Sequence, residues 1–171
     1  MKKIKTLFLF VFTAVELQLY AQTTNHQVYA VFVVSIAKYS SWPEADTKDF
    51  KIMVLGKSKV YDELTKATAN KDIHGKKIIV NQTDDIQNVV DAQIVYLPDG
   101  KSNQLGELLK LLSGKSVMII AEREGLFKKG AHFSFVVLDN NTLRFDINKK
   151  ESESHQIKIS QSLSSLANEV I

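Results

Sequence analysis

The chain of 171 residues contains no cysteine. That absence removes a disulfide framework, a thiolate nucleophile, cysteine-ligated zinc or iron–sulfur centres and a lipid-modified cysteine anchor. Arginine is nearly missing: among 22 Lys+Arg, only Arg123 and Arg144 are arginines, so the bidentate fork that reads phosphates and guanines is scarce. An excess of one charge is also lacking. Nineteen acidic residues leave a net charge of +3, too small a surplus to imply a nucleic-acid partner. No Walker loop, no G-x-G-x-x-G and no G-x-S-x-G elbow occurs. The histidines His26, His74, His132 and His155 stand at no metal-ligand spacing and read as surface or hairpin residues. The expectation is therefore no catalytic set, no metal and no cofactor. What remains is globular: 44% apolar and 24% charged residues exclude global disorder.

The N-terminus reads as an address. Lys2, Lys3 and Lys5 precede the uninterrupted apolar run Leu7–Val15. Glu16 ends that run, and Leu19-Tyr20-Ala21 offers a small residue before Gln22. This is the layout of a secretory signal peptide over residues 1–21, leaving a mature domain over residues 22–171. The run is about half the length that spans a bilayer, which disfavours a permanent anchor. Losing Lys2, Lys3, Lys5 and Glu16 lowers the net charge from +3 to +1.

Residues 28–37 (VYAVFVVSIA) are so uniformly apolar that periodicity cannot separate a buried helix from a strand. Phe50–Gly56 reads as a strand turning at a glycine, 59–69 as an amphipathic helix, and Lys76–Val80 as a strand. Ile86–Val90 reads as a short helix. Ala92–Leu97 is a buried strand closed by Pro98-Asp99-Gly100. Ser102 is the expected N-cap of a helix bearing Leu105, Leu108, Leu109 and Leu112, with Gly114 past its end, and Val117–Ala121 is another buried strand. Strand–helix–strand units with runs apolar on both faces predict an α/β single domain: a mixed, mostly parallel sheet with helical crossovers. A C-terminal β-hairpin follows (132–138 and Thr142–Asn148), then a charged loop KKESES, alternating Ile157 and Ile159, and a last helix capped by Ser160 that carries Leu163, Leu166 and Val170.

One constellation suggests binding. With a two-residue Asn140-Asn141 turn, Leu143, Phe145 and Ile147 share a face with Ser134, Val136 and Leu138. Phe133, Phe135 and Val137 would then lie beside Arg144, Asp146 and Asn148, opposite them across the strands. Rings interleaved with a guanidinium, a carboxylate and an amide suit a small ligand bearing a ring and a charge. The competing reading is a structural Arg144–Asp146 pair under the last helix. A one-residue shift of the turn would dissolve the arrangement.

The whole pattern resembles the YfiR-like family of periplasmic regulators. The resemblance runs through Ala37-Lys38-Tyr39-Ser40-Ser41-Trp42-Pro43, Phe50-Lys51-Ile52-Met53-Val54-Leu55-Gly56, Gly75-Lys76-Lys77-Ile78 and Ala92–Leu97. It is strongest in Glu124-Gly125-Leu126-Phe127, Gly130, Phe133, Phe135, Leu143–Asn148 and Ile157–Ser160 with Leu163 and Leu166-Ala167. It implies a helical first segment and a soluble, often dimeric periplasmic protein. It further implies restraint of an inner-membrane signalling partner, commonly a diguanylate cyclase and in some bacteria a sensor kinase, and so control of cyclic-di-GMP and biofilm growth. Arg144 and Asn148 match the family's R-F-x-I-N strand, and Lys38 and Trp42 its first motif. With Asp146 and Phe135 these are the candidate ligand-binding residues, for a small aromatic or nucleotide ligand. Family members commonly carry a cysteine where Ala92 and Gln93 stand here, so disulfide-based sensing does not carry over.

Overall fold

The computed structural model describes residues 25–43 and 47–171; the expected export segment, residues 1–21, lies outside the described residues. The ambiguous apolar segment is a helix, α1 (Asn25–Lys38), as the family resemblance implied. Its buried residues Tyr29, Ala30, Val33, Ile36 and Ala37 recur every three or four positions. Packing of that stripe outweighs the strand preference of its β-branched residues. Short β1 (Ser40–Ser41) leads to β2 (Asp49–Leu55), α2 (Lys59–Thr68), β3 (Asp72–Ile73) and β4 (Lys76–Thr83). A 3₁₀ turn at Ile86–Val89 precedes β5 (Ile94–Leu97). A further 3₁₀ turn at Asp99–Gln104 runs into α3 (Leu105–Leu111), followed by β6 (Met118–Ala121) and a third 3₁₀ turn at Leu126–Lys129. The chain closes with β7 (Phe133–Val137), β8 (Leu143–Ile147), α4 (Lys149–Ser154), β9 (Lys158–Ile159) and α5 (Gln161–Ser164).

Seven strands form one sheet in the order β3-β4-β2-β5-β6-β7-β8. Pairings from β4 through β7 are parallel, and β3 and β8 join antiparallel at the two edges. This is the mixed, mostly parallel α/β sheet expected, with a terminal hairpin. Central strands bury both faces, and alternate residues feed two cores. Ile52, Val54, Ile94, Tyr96, Ile120 and Phe133 pack under α1 and α2. Val95, Leu97, Ile119 and Ala121 pack under α3 and the 86–89 turn.

Several local expectations are corrected. Ser102 does not cap a helix; it is buried inside the 3₁₀ turn that begins after Pro98, and α3 starts only at Leu105. The segment KKESES is α4, not a loop, because the Asn148 side chain accepts a hydrogen bond from the Glu151 amide at 2.9 Å and starts a helix there. Ser160 does cap a helix, but α5 lasts only to Ser164, and Leu166 and Val170 lie outside it, 56% and 43% exposed. The tail instead runs along β8. Asn168 N–H donates to the Phe145 carbonyl at 2.8 Å, Ile147 N–H to Glu169 at 2.9 Å and Ile171 N–H to Ile147 at 3.0 Å. The otherwise open edge of β8 is thereby covered. His132 and His155 are buried rather than superficial, with ring centroids 4.9 Å apart.

Candidate functional site

The six residues singled out from the sequence fall in three places. The hairpin register decides the first. Leu138 N–H bonds the Thr142 carbonyl at 3.0 Å around a three-residue loop, in which Asn141 takes φ +60°. That left-handed position is one asparagine tolerates better than most residues, and it fits a three-residue hairpin loop. The extra loop residue sets Phe135 against Phe145 and Ser134 against Asp146. Phe133, Phe135 and Val137 therefore share a face with Leu143, Phe145 and Ile147, while Arg144 and Asp146 project to the other side with Ser134 and Val136. The interleaved aromatic–polar face does not form.

Each polar group on β8 instead finds a structural partner. Arg144 Nη1 donates to the Leu166 carbonyl at 3.2 Å. Buried Asp146 accepts from Asn168 Nδ2 at 2.9 Å, so no Arg144–Asp146 pair exists. Asn148 caps α4 and donates Nδ2 to the Phe127 carbonyl at 2.8 Å. Arg144 alone of the three keeps an exposed side chain.

Trp42 stands at the opposite side of the sheet, where the parallel strands begin. Its ring meets Phe50 edge-on at 5.0 Å. Both line a cavity of about 300 Å³ together with Pro43, Ile73, His74 and Gln93. The indole Nε1 is buried and bonds no described residue; a buried indole N–H normally has a partner. Around it, His74 Nε2 lies 2.8 Å from the Ser40 carbonyl, and Gln93 Oε1 accepts from Lys51 N–H at 2.7 Å. Lys76, also on the wall, donates to Thr47 Oγ1 at 3.2 Å. Rings and polar side chains together make a wall that can take a small molecule, although the indole Nε1 itself is buried away from it. Lys38 lies apart, exposed at the end of α1, its ammonium 5.8 Å from the Tyr39 ring.

Phe135 is fully buried and belongs to a third place, at the carboxyl ends of the strands. It stacks on Tyr29 at 4.7 Å, and the pair borders a crevice of about 330 Å³ with Asp99, Glu122, Arg123, Glu124 and Val137. Glu122 Oε2 accepts from Tyr96 Oη at 3.0 Å and from the Asp99 amide at 3.4 Å. Arg123 Nε reaches Asp99 Oδ1 at 2.6 Å, and that guanidinium holds the Asp99 carboxyl below its ordinary range. Burial, then Glu122 and Asp99, push the Tyr29 hydroxyl up. Aromatic rings, carboxylates and a guanidinium do meet here, but with Arg123 rather than Arg144. Only the termini of β5 and β6 as end markers could have pointed to Asp99 and Glu122, since ligands of α/β sheets gather at the carboxyl ends of strands.

Among the described residues no His/Asp/Glu group is placed to hold a metal ion, and no helix is long and apolar enough to cross a membrane. No curated protein matches this chain. Among solved structures, a conserved domain protein from Vibrio cholerae O1 biovar El Tor superposes with a TM-score of 0.56 at 11% identity, over 83% of this chain and 60% of that one. The ABC domain from Streptococcus pneumoniae, solved in complex with L-Trp, gives 0.51 at 14% identity, over 71% of this chain and 55% of that one. At such identities the likeness concerns the fold, and this chain spans less than two thirds of either protein. The sequence family is set by a different comparison. The YfiR/HmsC-like family model matches residues 26–168, the entire sheet and its covering helices, and the chain therefore belongs to the YfiR/HmsC-like family.

Proposed function

We propose that this chain is exported to the periplasm and there restrains an inner-membrane signalling partner, a diguanylate cyclase. Release of the restraint raises cyclic-di-GMP and favours biofilm growth. The observation that carries this reading is the family match across residues 26–168. It spans the whole architecture, not one motif. The protein acts as a binding regulator and not as an enzyme. Without cysteine its signal is something other than disulfide exchange. Arg144 is the partner-facing candidate, because its side chain is exposed and tied to the backbone beside exposed Leu166.

The test is deletion with complementation. Loss of the gene raises cellular cyclic-di-GMP, the wild-type gene restores it, and tagged protein crosslinked in intact cells recovers a membrane cyclase. Unchanged cyclic-di-GMP together with recovery of no envelope signalling protein refutes the proposal. A second reading, a small-ligand module paired with a sensor kinase, is favoured by the ring-walled cavity at Trp42. Recovery of a kinase in the same crosslinking experiment would select it.

A further inference from the structure

The crevice at the carboxyl ends of β5, β6 and β7 lies at the other end of the sheet from Trp42. We propose that it binds a small primary amine on a short aromatic stem, its ammonium held by Glu122 and its ring against Tyr29, Phe135 and Val137.

Three observations carry this. First, Glu122 is a pre-positioned acceptor. Tyr96 Oη and the Asp99 amide both hold Oε2, while Oε1 bonds no described residue. A half-buried carboxylate oriented in this way meets an ammonium with charge assistance and little reorganisation. Second, Tyr29 is only 8% exposed and borders the crevice, yet its hydroxyl bonds no described residue. The hydroxyl is accessible at the crevice, where a ligand's donor can replace water on it. Third, the remaining wall is apolar. Tyr29 and Phe135 stack at 4.7 Å with 21° between their planes, and Val137 stands 49% exposed at the mouth.

Charge selects the ligand's sign. Asp99, Glu122 and Glu124 face a single guanidinium, Arg123, which is already paired with Asp99. A cation is drawn in, and a carboxylate-bearing ligand is repelled. A space of about 330 Å³ lies at the small end of ligand cavities. An ammonium's N–H donors have Glu122 Oε1 and the Tyr29 hydroxyl to meet, and Glu124 adds a further negative charge on the wall.

The experiment is calorimetric titration of the full chain with 2-phenylethylamine at low ionic strength. Saturable binding is expected, and phenylalanine, the same ring and ammonium with a carboxylate added, binds more weakly. Glu122→Gln loses about tenfold in affinity. Val137→Arg, a change at an exposed position, places a cation at the mouth and abolishes binding while the melting temperature holds. Arg144→Ala binds as the wild type does. Absence of saturable binding, equal affinity in Glu122→Gln, or phenylalanine binding as tightly as the amine overturns the proposal.

Discussion

Acidification should destabilise this protein through one buried histidine. His132 is fully buried, and its Nδ1 accepts the Ile119 backbone N–H at 3.0 Å. Because an amide can only donate, Nδ1 must be the bare nitrogen, and the ring proton sits on Nε2, which itself is buried without a partner. A second proton at Nδ1 would face the amide hydrogen and break that bond. Burial, and then the neighbouring His155, lower the His132 pKa to about 3. His155 meets the ring at 77° and is itself placed by the Lys115 carbonyl and Glu151. In the unfolded chain the imidazole titrates near its ordinary value, about 6.5. Between those two values the unfolded state binds a proton that the folded state refuses, so stability is complete above about pH 6.5 and falls as pH drops. The slope approaches about 1.4 kcal/mol per pH unit, roughly 2 kcal/mol lost by pH 5. That is a large part of the stability of a domain this size. Urea unfolding at a series of pH values, for wild type and His132→Gln, measures it. Glutamine offers Ile119 an acceptor and cannot titrate, while the carboxylates contribute alike to both proteins. The difference between the two stability curves should therefore slope with pH below about 6.5. Parallel curves would refute the reasoning.

Other outcomes follow from single contacts. Gly130→Ala should destabilise by about 2 kcal/mol, since φ is +106° and the added Cβ would stand 2.8 Å from Leu109 Cδ1; thermal unfolding reads this. Asn148→Ala removes both the α4 cap and the bond to Phe127 and should cost about 2 kcal/mol by urea titration. Deleting residues 168–171 strips the backbone bonds from β8. It should lower the unfolding midpoint and cause concentration-dependent association through the bared edge, followed by light scattering. A ligand entering the cavity at Trp42 should change the emission of the chain's one tryptophan, whereas 2-phenylethylamine in the distant crevice should leave it unchanged.

Residues close in sequence determined much of this protein without reference to anything farther away. Doubly apolar runs such as Ile94–Leu97 and Met118–Ala121, separated by a helix with leucines on one face, already specify parallel strands covered on both sides. The ordered motifs from Lys38 to Leu166 led to the right family, and the missing cysteines excluded thiol chemistry. Those features depend on periodicity and residue type, which any short window displays. The tertiary structure decided the rest. One more residue in the loop at Asp139–Asn141 turned Phe135 away from Arg144 and Asp146, because side chains alternate with period two and a single shift exchanges faces. The tail from Asn168 to Ile171 became a strand partner rather than a helix, since the open edge of β8 offered its backbone groups. The crevice was invisible in one dimension for the same kind of reason. Tyr29, Asp99, Glu122 and Phe135 belong to four separate segments, brought together where α1 crosses the ends of three strands. No local pattern records that meeting, because the packing of the helix on the sheet creates it.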